Sequence, residues 1–303
     1  MLNKVVKSTR IKTTWSLHLM LLAPVALLLL FCYTPMVGIV VAFQDYLPTK
    51  GFFGSKWVGF KYFEFLFSIQ DTWNVIRNTL VISAGKIVVG LVVSLVFAIL
   101  LNEIGVKPLR KMIQTFVFFP YFLSWVILGS ILVDILSLDG AINSILKIFG
   151  LKPVMFLANN TTFVPVIILS NTWKDFGYNM IIFYAAIMNI DPSLYEAAIV
   201  DGAGRIRQTW NITLPGMISI VAVVGLLALG GVLNAGFDQI FNMYNPLVMR
   251  TGDILDTYIY RQGLLSGQYA FGTAAGLLKS LVGFLLILVA NWSAERFANY
   301  RIL

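Results

Sequence analysis

The chain has 303 residues, 58% of them hydrophobic and only 12% charged, with a formal net charge of +8 at pH 7. A soluble domain carries about twice that share of charge, and here the apolar excess comes in long blocks, which puts the chain in the membrane class. The basic residues are not clustered with exposed aromatics, which argues against a nucleic-acid partner. A single cysteine, Cys32, excludes an intramolecular disulfide and reads as a packed apolar residue. The single histidine, His18, lies near a membrane end, which argues against a metal site and against a Ser-His or Cys-His catalytic pair.

The first apolar run, 17–43, follows Lys4, Lys7, Arg10 and Lys12. It is too long for a signal h-region and has no clear small-residue cleavage site, so it reads as a retained spanning helix kinked near Pro24 and Pro35. Five further segments are long enough to cross a bilayer: 79–101, 114–136, 162–187, 216–237 and 272–293. The fourth is interrupted by Asn171, Lys174 and Asp175. The expected fold class is therefore all-α: a polytopic membrane protein with six transmembrane helices. Residues 1–16 form an N-terminal segment, 17–293 the membrane domain and 294–303 a tail.

Orientation follows from the loops. With the N-terminus inside, the inner segments hold Lys4, Lys7, Arg10, Lys12, Lys107, Arg110, Lys111, Arg205, Arg207, Arg296 and Arg301. The outer ones hold Lys50, Lys56, Lys61, Arg77, Lys147, Lys152, Arg250 and Arg261. The positive-inside rule then places both termini in the cytoplasm. The outer stretch 44–75 is rich in aromatics (Trp57, Phe60, Tyr62, Phe63, Phe65, Phe67, Trp73) and reads either as an interfacial belt or as a docking surface. Residues 140–150 look like a short amphipathic helix at the outer surface.

The third inner segment carries the most specific pattern: Glu196-Ala197-Ala198, then Gly202, then Ile212, Leu214 and Pro215. Asp191-Pro192 and Ser193-x-x-Glu196 both resemble helix starts. Ala197 and Ala198 favour helix and let a partner approach closely. Gly202 and Gly204 permit a sharp bend. Ile206, Trp210 and Leu214 at i, i+4 and i+8 form an apolar stripe expected to hold the base of a second helix. A helix-bend-helix over 191–215 is predicted.

This pattern resembles the "EAA" loop of ABC importer permeases. Further stretches resemble the permeases of complex-sugar and polysaccharide-derived oligosaccharide importers: Ala42-Phe43-Gln44-Asp45-Tyr46, Leu123-Ser124-Trp125-Val126, Asp201-Gly202-Ala203-Gly204, Leu233-Asn234-Ala235-Gly236-Phe237-Asp238-Gln239, Tyr244-Asn245-Pro246 and Asp256-Thr257-Tyr258-Ile259-Tyr260-Arg261. Asn78-Thr79-Leu80 is a commoner permease feature. The resemblance runs from about Trp15 to Arg296 and implies the ABC type I importer permease fold. It implies a cytoplasmic coupling loop at 191–215, with Glu196, Ala197, Ala198, Asp201, Gly202, Ile212, Leu214 and Pro215 engaging a separate ATPase. It also implies a second related permease, two ATP-binding cassette subunits, an extracellular solute-binding protein and residence in a bacterial cytoplasmic membrane. No G-x-x-x-x-G-K-[ST] phosphate loop is present. ATP and Mg²⁺ are accordingly expected on the partner, no cofactor on this chain, and no enzyme activity in it.

Ionisable groups within spans are candidates for function. Lys174 and Asp175, with Trp173 and Asn179 beside them, either hold the bundle together or line the substrate path; as sequence neighbours they point about 100° apart. Lys86 and Lys279 are expected to snorkel outward; the alternative is a cationic vestibule that would suit anionic sugars such as uronate-containing glycans. Asn234 and Asp238, near Gln239 and Asn242, and the aromatic Trp125 complete the candidate path. A secondary sugar transporter or channel could share the six spans but has no need of the 191–215 pattern.

Overall fold

The computed structural model describes Trp15 and residues 17–298, and these are largely helical. Helix α1 (Leu17–Phe43) begins as an α-helix, loosens into a π turn at Leu29–Tyr33 and tightens to 3-10 geometry over Thr34–Phe43. Pro35 cannot donate into the helix ladder, and the disturbance expected there takes this form. Thr34 Oγ1 donates to the Leu29 carbonyl at 3.0 Å. Cys32, expected to be packed, is exposed in this chain.

The aromatic stretch after α1 is a folded cap. Strands β1 (Gln44–Asp45) and β2 (Lys56–Trp57) pair antiparallel, with Gln44 opposite Trp57. Phe43 stacks on Trp57 (centroids 5.8 Å apart) and meets Phe60 edge-on at 5.5 Å. Tyr62, on helix α2 (Lys61–Ser68), donates to Asp45 at 2.6 Å.

Helix α3 (Gln70–Asn102) is about 50 Å long at 1.5 Å per residue, so the expected span 79–101 is only its apolar portion. It packs along α7 (Asn160–Met188). Gly85 makes the close approach possible, since a Cβ there would lie 2.4 Å from Ile168 Cδ1.

Two expected spans are broken. The segment 114–136 divides into α4 (Lys107–Phe118), a 3-10 turn Phe119–Phe122 and α5 (Trp125–Leu136), which Ser124 caps by accepting from the Ile127 amide at 3.4 Å. Pro120 interrupts the ladder. The break lies against Gly177 of α7, where a Cβ would sit 2.3 Å from the Val117 carbonyl oxygen. The segment 216–237 likewise stops early: its helix ends at Gly230, the backbone runs irregularly to Gly236 at φ +93, and α10 (Phe237–Met243) restarts. The amphipathic helix read at 140–150 is present as α6 (Ala141–Ile148), fastened by Asn143, whose amide donates to the Ser137 and Val154 carbonyls at 2.9 Å.

The remaining elements are α8 (Pro192–Val200), α9 (Arg205–Gly230, with a π turn at Thr209–Thr213), α11 (Leu255–Ile259, continued as a π-helix Tyr260–Leu265) and α12 (Tyr269–Ala298). Helix α12 continues past the expected span 272–293 into the expected tail. Residues 1–14, Ser16 and 299–303, which include Lys4, Lys7, Arg10, Lys12 and Arg301 of the orientation argument, lie outside the described residues.

Among the described residues five helical runs are long and apolar enough to cross a membrane: Leu17–Phe43, Gln70–Asn102, Trp125–Ile148, Arg205–Gly230 and Tyr269–Ser293. Helix α7 has the length but not the apolarity. One buried cluster (Ile82, Phe163, Ile167, Ala235, Ile240, Met243, Val248, Ile254) surrounds the irregular stretch after α9 and fixes its path.

Candidate functional site

Helix α7 places Asn171, Asp175 and Asn179 four residues apart, on one face. With Tyr178 they open into a cavity of about 470 Å³ between α3, α7 and α9, to which α3 adds Ser83 and Lys86 and the break after α9 adds Asn234. Asn171 Nδ2 donates to Asp175 Oδ2 at 2.6 Å and orients that carboxylate.

The neighbouring Lys174 points elsewhere, as the 100° offset requires. Its Nζ donates to the Tyr121 carbonyl at 2.8 Å, inside the break between α4 and α5, and lies over the rings of Tyr121 (5.2 Å) and Trp125 (5.8 Å). It stays 3.7 Å from Asp175 Oδ1, a charge contact rather than a hydrogen bond. The two readings of this pair therefore divide by residue. Lys174 and Trp125 hold the bundle; Asp175 and Asn179 line the cavity.

Lys86 does not snorkel. Its Nζ donates to the Ala235 carbonyl at 2.6 Å and to Gln239 Oε1 at 2.5 Å, while Gln239 Nε2 donates to the Ile167 carbonyl (2.8 Å) and to Ser170 Oγ (2.9 Å). Gly236 is required by its positive φ, and a Cβ there would lie 2.9 Å from Lys86 Nζ and displace it from these bonds. Lys279 does not snorkel either, but pairs with Asp256 at 2.5 Å. Both broken helices thus follow one rule. A carbonyl freed by the break is taken by a lysine projecting from an unbroken neighbour, which satisfies a polar group that lipid could not.

Trp173 is exposed on the far face of α7, and Asp238 lies in the first turn of α10, outside the cavity. Asn234 lines the cavity. Ser83, Lys86, Asn171 and Tyr178 were missing from the candidate path; the four-residue spacing of Asn171, Asp175 and Asn179 was the signal that could have brought in Asn171.

The 191–215 segment is a helix-bend-helix. Asp191 caps α8 by accepting from the Ser193 amide at 2.9 Å, and this bond holds its carboxyl below the usual range. Of the two possible starts, the Asp-Pro one is used. Helix α8 ends in a Schellman motif: the Gly202 amide donates to the Ile199 carbonyl (3.0 Å) and the Ala203 amide to that of Ala198 (2.8 Å), with Gly202 at φ +73. Tyr195 Oη and Thr213 Oγ1, 3.0 Å apart, join the two arms. Arg205 Nη1 reaches Glu103 Oε2 at 2.7 Å, tying the elbow to the end of α3. The stripe of Ile206 and Trp210 does not hold the base: both are exposed, as are Ile199 and Val200. Glu196, Ala197, Asp201 and Pro215 are exposed, and Ala198, Ile212 and Leu214 are partly buried.

The family model described as binding-protein-dependent transport system inner membrane component matches residues 90–299. The polygalacturonan/rhamnogalacturonan transport system permease protein YteP of Bacillus subtilis (strain 168) is 42% identical over 284 residues, covering 93% of this chain and 88% of that protein. Protein LplB of the same organism is 40% identical over 282 residues, covering 93% and 89%. Among solved structures, a chain of a bacterial ABC transporter that imports the acidic polysaccharide alginate superposes with a TM-score of 0.87 at 38% identity, covering 95% of this chain and 98% of that one. A chain of a bacterial alginate ABC transporter, in complex with an alginate pentasaccharide-bound periplasmic protein, gives 0.88 at 37% identity, covering 97% and 99%. With five apolar membrane-length helices, a cavity bordered by the break after α9 and this match over most of its length, the chain belongs to the inner-membrane permease components of binding-protein-dependent transport systems.

Proposed function

We propose that this permease moves an acidic oligosaccharide, released from a polysaccharide, through the cavity between α3, α7 and α9 by alternating access. The observation that carries the reading is the cavity itself, where Asn171, Asp175, Tyr178, Asn179 and Asn234 offer the amides, carboxylate and aromatic ring that bind sugar hydroxyls and faces. The acidic character of the cargo is supported by the relatives, whose names and titles refer to polygalacturonan, rhamnogalacturonan and alginate.

In this reading α7 is the sixth span and both termini face the cytoplasm of a bacterial cell, consistent with the helix lengths and the loop charges. Two ATPase subunits, carrying ATP and Mg²⁺, dock on the elbow through the exposed Glu196, Ala197, Asp201, Ile206 and Trp210. Gly202 sets its angle, and Ile212, Leu214 and Pro215 pass the thrust into α9. A second related permease completes the path, and an external binding protein delivers the sugar at the opposite end, where β1, β2, α2 and α6 lie.

The test is uptake of an unsaturated oligogalacturonide into vesicles holding the assembled complex, with the binding protein outside and ATP available to the ATPase. Asp175→Asn and Asn179→Ala are expected to lower uptake at least about tenfold, the loss of one or two hydrogen bonds in the path. Uptake that persists without the ATPase would overturn the reading in favour of a secondary transporter or channel.

A further inference from the structure

On the end of the molecule opposite the elbow, a second cavity of about 350 Å³ opens between the start of α3, the start of α7 and the turn Met249–Gly252. It belongs to neither the sugar cavity nor the elbow. Its lining includes Arg77, Arg250 and Asn74, with Val81 and Val164 below them, and contains no carboxylate. Among the described residues neither guanidinium has a hydrogen-bond or ion-pair partner, and both are exposed.

The frame around these two charges is rigid. Asn78 Nδ2 donates to the Arg250 carbonyl (3.0 Å) and to that of Asp253 (3.2 Å). Asn160 Nδ2 donates to the Leu247 carbonyl at 3.1 Å and its Oδ1 accepts from Thr251 Oγ1 at 2.8 Å. Gly252 lies so close to Phe163 that a Cβ would fall 2.3 Å from its ring. The one carboxylate near the turn, Asp253, is taken by Arg261 at 2.5 Å and by Thr257 at 2.7 Å. The backbone that presents Arg250 is thereby pinned to both long helices, while its guanidinium and that of Arg77 are left free.

Height and surroundings select the ligand. The apolar run of α3 from Leu80 to Leu101 spans about 33 Å, close to the thickness of a hydrocarbon core, so Arg77 stands at its edge. Directly below Arg77, on the same helical face, Val81, Val88, Val92 and Val96 form an exposed apolar stripe. Two unpaired cations at the head of an apolar stripe about 23 Å long, enough for the acyl chains of one leaflet, match an anionic phospholipid, phosphate above and acyl chain below. We propose that Arg77 and Arg250 bind the headgroup of one anionic phospholipid in the leaflet remote from the elbow. This rests on the reading of the chain as a membrane permease, and ATP-driven uptake measured in the same preparations reports that reading separately.

The experiment is lipid retention by the assembled importer in nanodiscs of mixed phosphatidylglycerol and phosphatidylcholine, read by mass spectrometry after a short delipidating wash, for wild type, R77Q, R250Q, the double variant and R77K. Each neutralised arginine is expected to lower the preference for phosphatidylglycerol about fivefold, and R77K to retain most of it. Equal retention by wild type and the double variant overturns the proposal. So does unchanged lipid retention with weakened capture of the binding protein, which would assign the arginines to protein docking. Displacement of the lipid by oligogalacturonide at transport concentrations would also overturn it, making the cleft an entry site for the sugar.

Discussion

Lys174 and Asp175 are adjacent in sequence but face different surroundings, the α4–α5 break and the cavity, and single substitutions should separate their proposed roles. Lys174→Met leaves the Tyr121 carbonyl in the α4–α5 break without its donor, at a cost of about 1–3 kcal/mol. A lower unfolding temperature and a lower yield of complex are expected. Asp175→Asn keeps the partner Asn171 and should leave both unchanged while uptake falls; equal thermal loss in the two variants would refute this division. Tyr62 offers a pH test. Burial first, and then the Asp45 carboxylate beside it, push its phenol from 10.0 up to about 12. Because the folded value is raised, the contribution of the Tyr62–Asp45 bond is complete below the ordinary value and is lost as pH rises through about 12. In an alkaline absorbance titration, Tyr62→Phe should remove one phenol that ionises near pH 12; an unchanged curve at that end would refute the assignment.

Among the elements, the elbow is legible in the sequence because its signals are local. Asp191-Pro192 starts a helix and Gly202 ends it, both within hydrogen-bonding range of the residues they act on. The broken spans are illegible for the opposite reason. Hydropathy over 114–136 and 216–237 is continuous, and the donors that make the breaks tolerable, Lys174 and Lys86, lie 53 and 149 residues away from the carbonyls they satisfy. The same distance hid Lys86 from the site, since a lysine near a span end reads as a snorkelling one until its partner is known.

Two predictions belong to the elbow. In Gly202→Ala the added Cβ meets no neighbour, so the cost to the isolated chain is backbone strain at φ +73, about 1–2 kcal/mol. ATPase stimulation by loaded binding protein should fall much further than thermal stability; a matched small change in both would leave the elbow no part in coupling. The exposed Arg205–Glu103 pair adds at most about 1 kcal/mol to stability. Its position between elbow and α3 makes coupling the sensitive measurement. Arg205→Glu and Glu103→Arg should each lower the transport-to-hydrolysis ratio, and the double exchange should restore it. Failure of the exchange to restore the ratio would show that the pair transmits nothing.

For the whole molecule, five helical runs carry the apolar character of a spanning bundle, and α7 carries the polar face that borders the cavity. The helical membrane class could be read from the hydrophobic blocks alone, but the location of the cavity could not. It depends on three helices distant in sequence, and on a glycine at Gly85 that lets α3 and α7 come close. At this scale, affinity purification from native membranes should recover a second permease and an ATPase with this chain, and lose the ATPase when Glu196 and Gly202 are altered together. Recovery of the chain alone, active after reconstitution, would remove the importer assignment.

The lysine-capped breaks also bear on biosynthesis. Helix α7, with Asn171, Lys174 and Asp175 in its middle, is a poor candidate for entering lipid by itself, since a charged residue at a helix centre disfavours insertion by about 2.5–3.5 kcal/mol. Its charge is satisfied by a carbonyl in the α4–α5 break, a segment made earlier on the ribosome. If α7 is the sixth span, as proposed, the expected route is that α4 and α5 wait at the lateral gate of the translocon until α7 emerges, and the three enter the bilayer together. In a glycosylation-reporter assay, α7 alone should insert poorly, and α4 through α7 together should insert efficiently unless Lys174 is replaced by Glu. The order of the segments along the messenger RNA would then be part of how the sugar path is made.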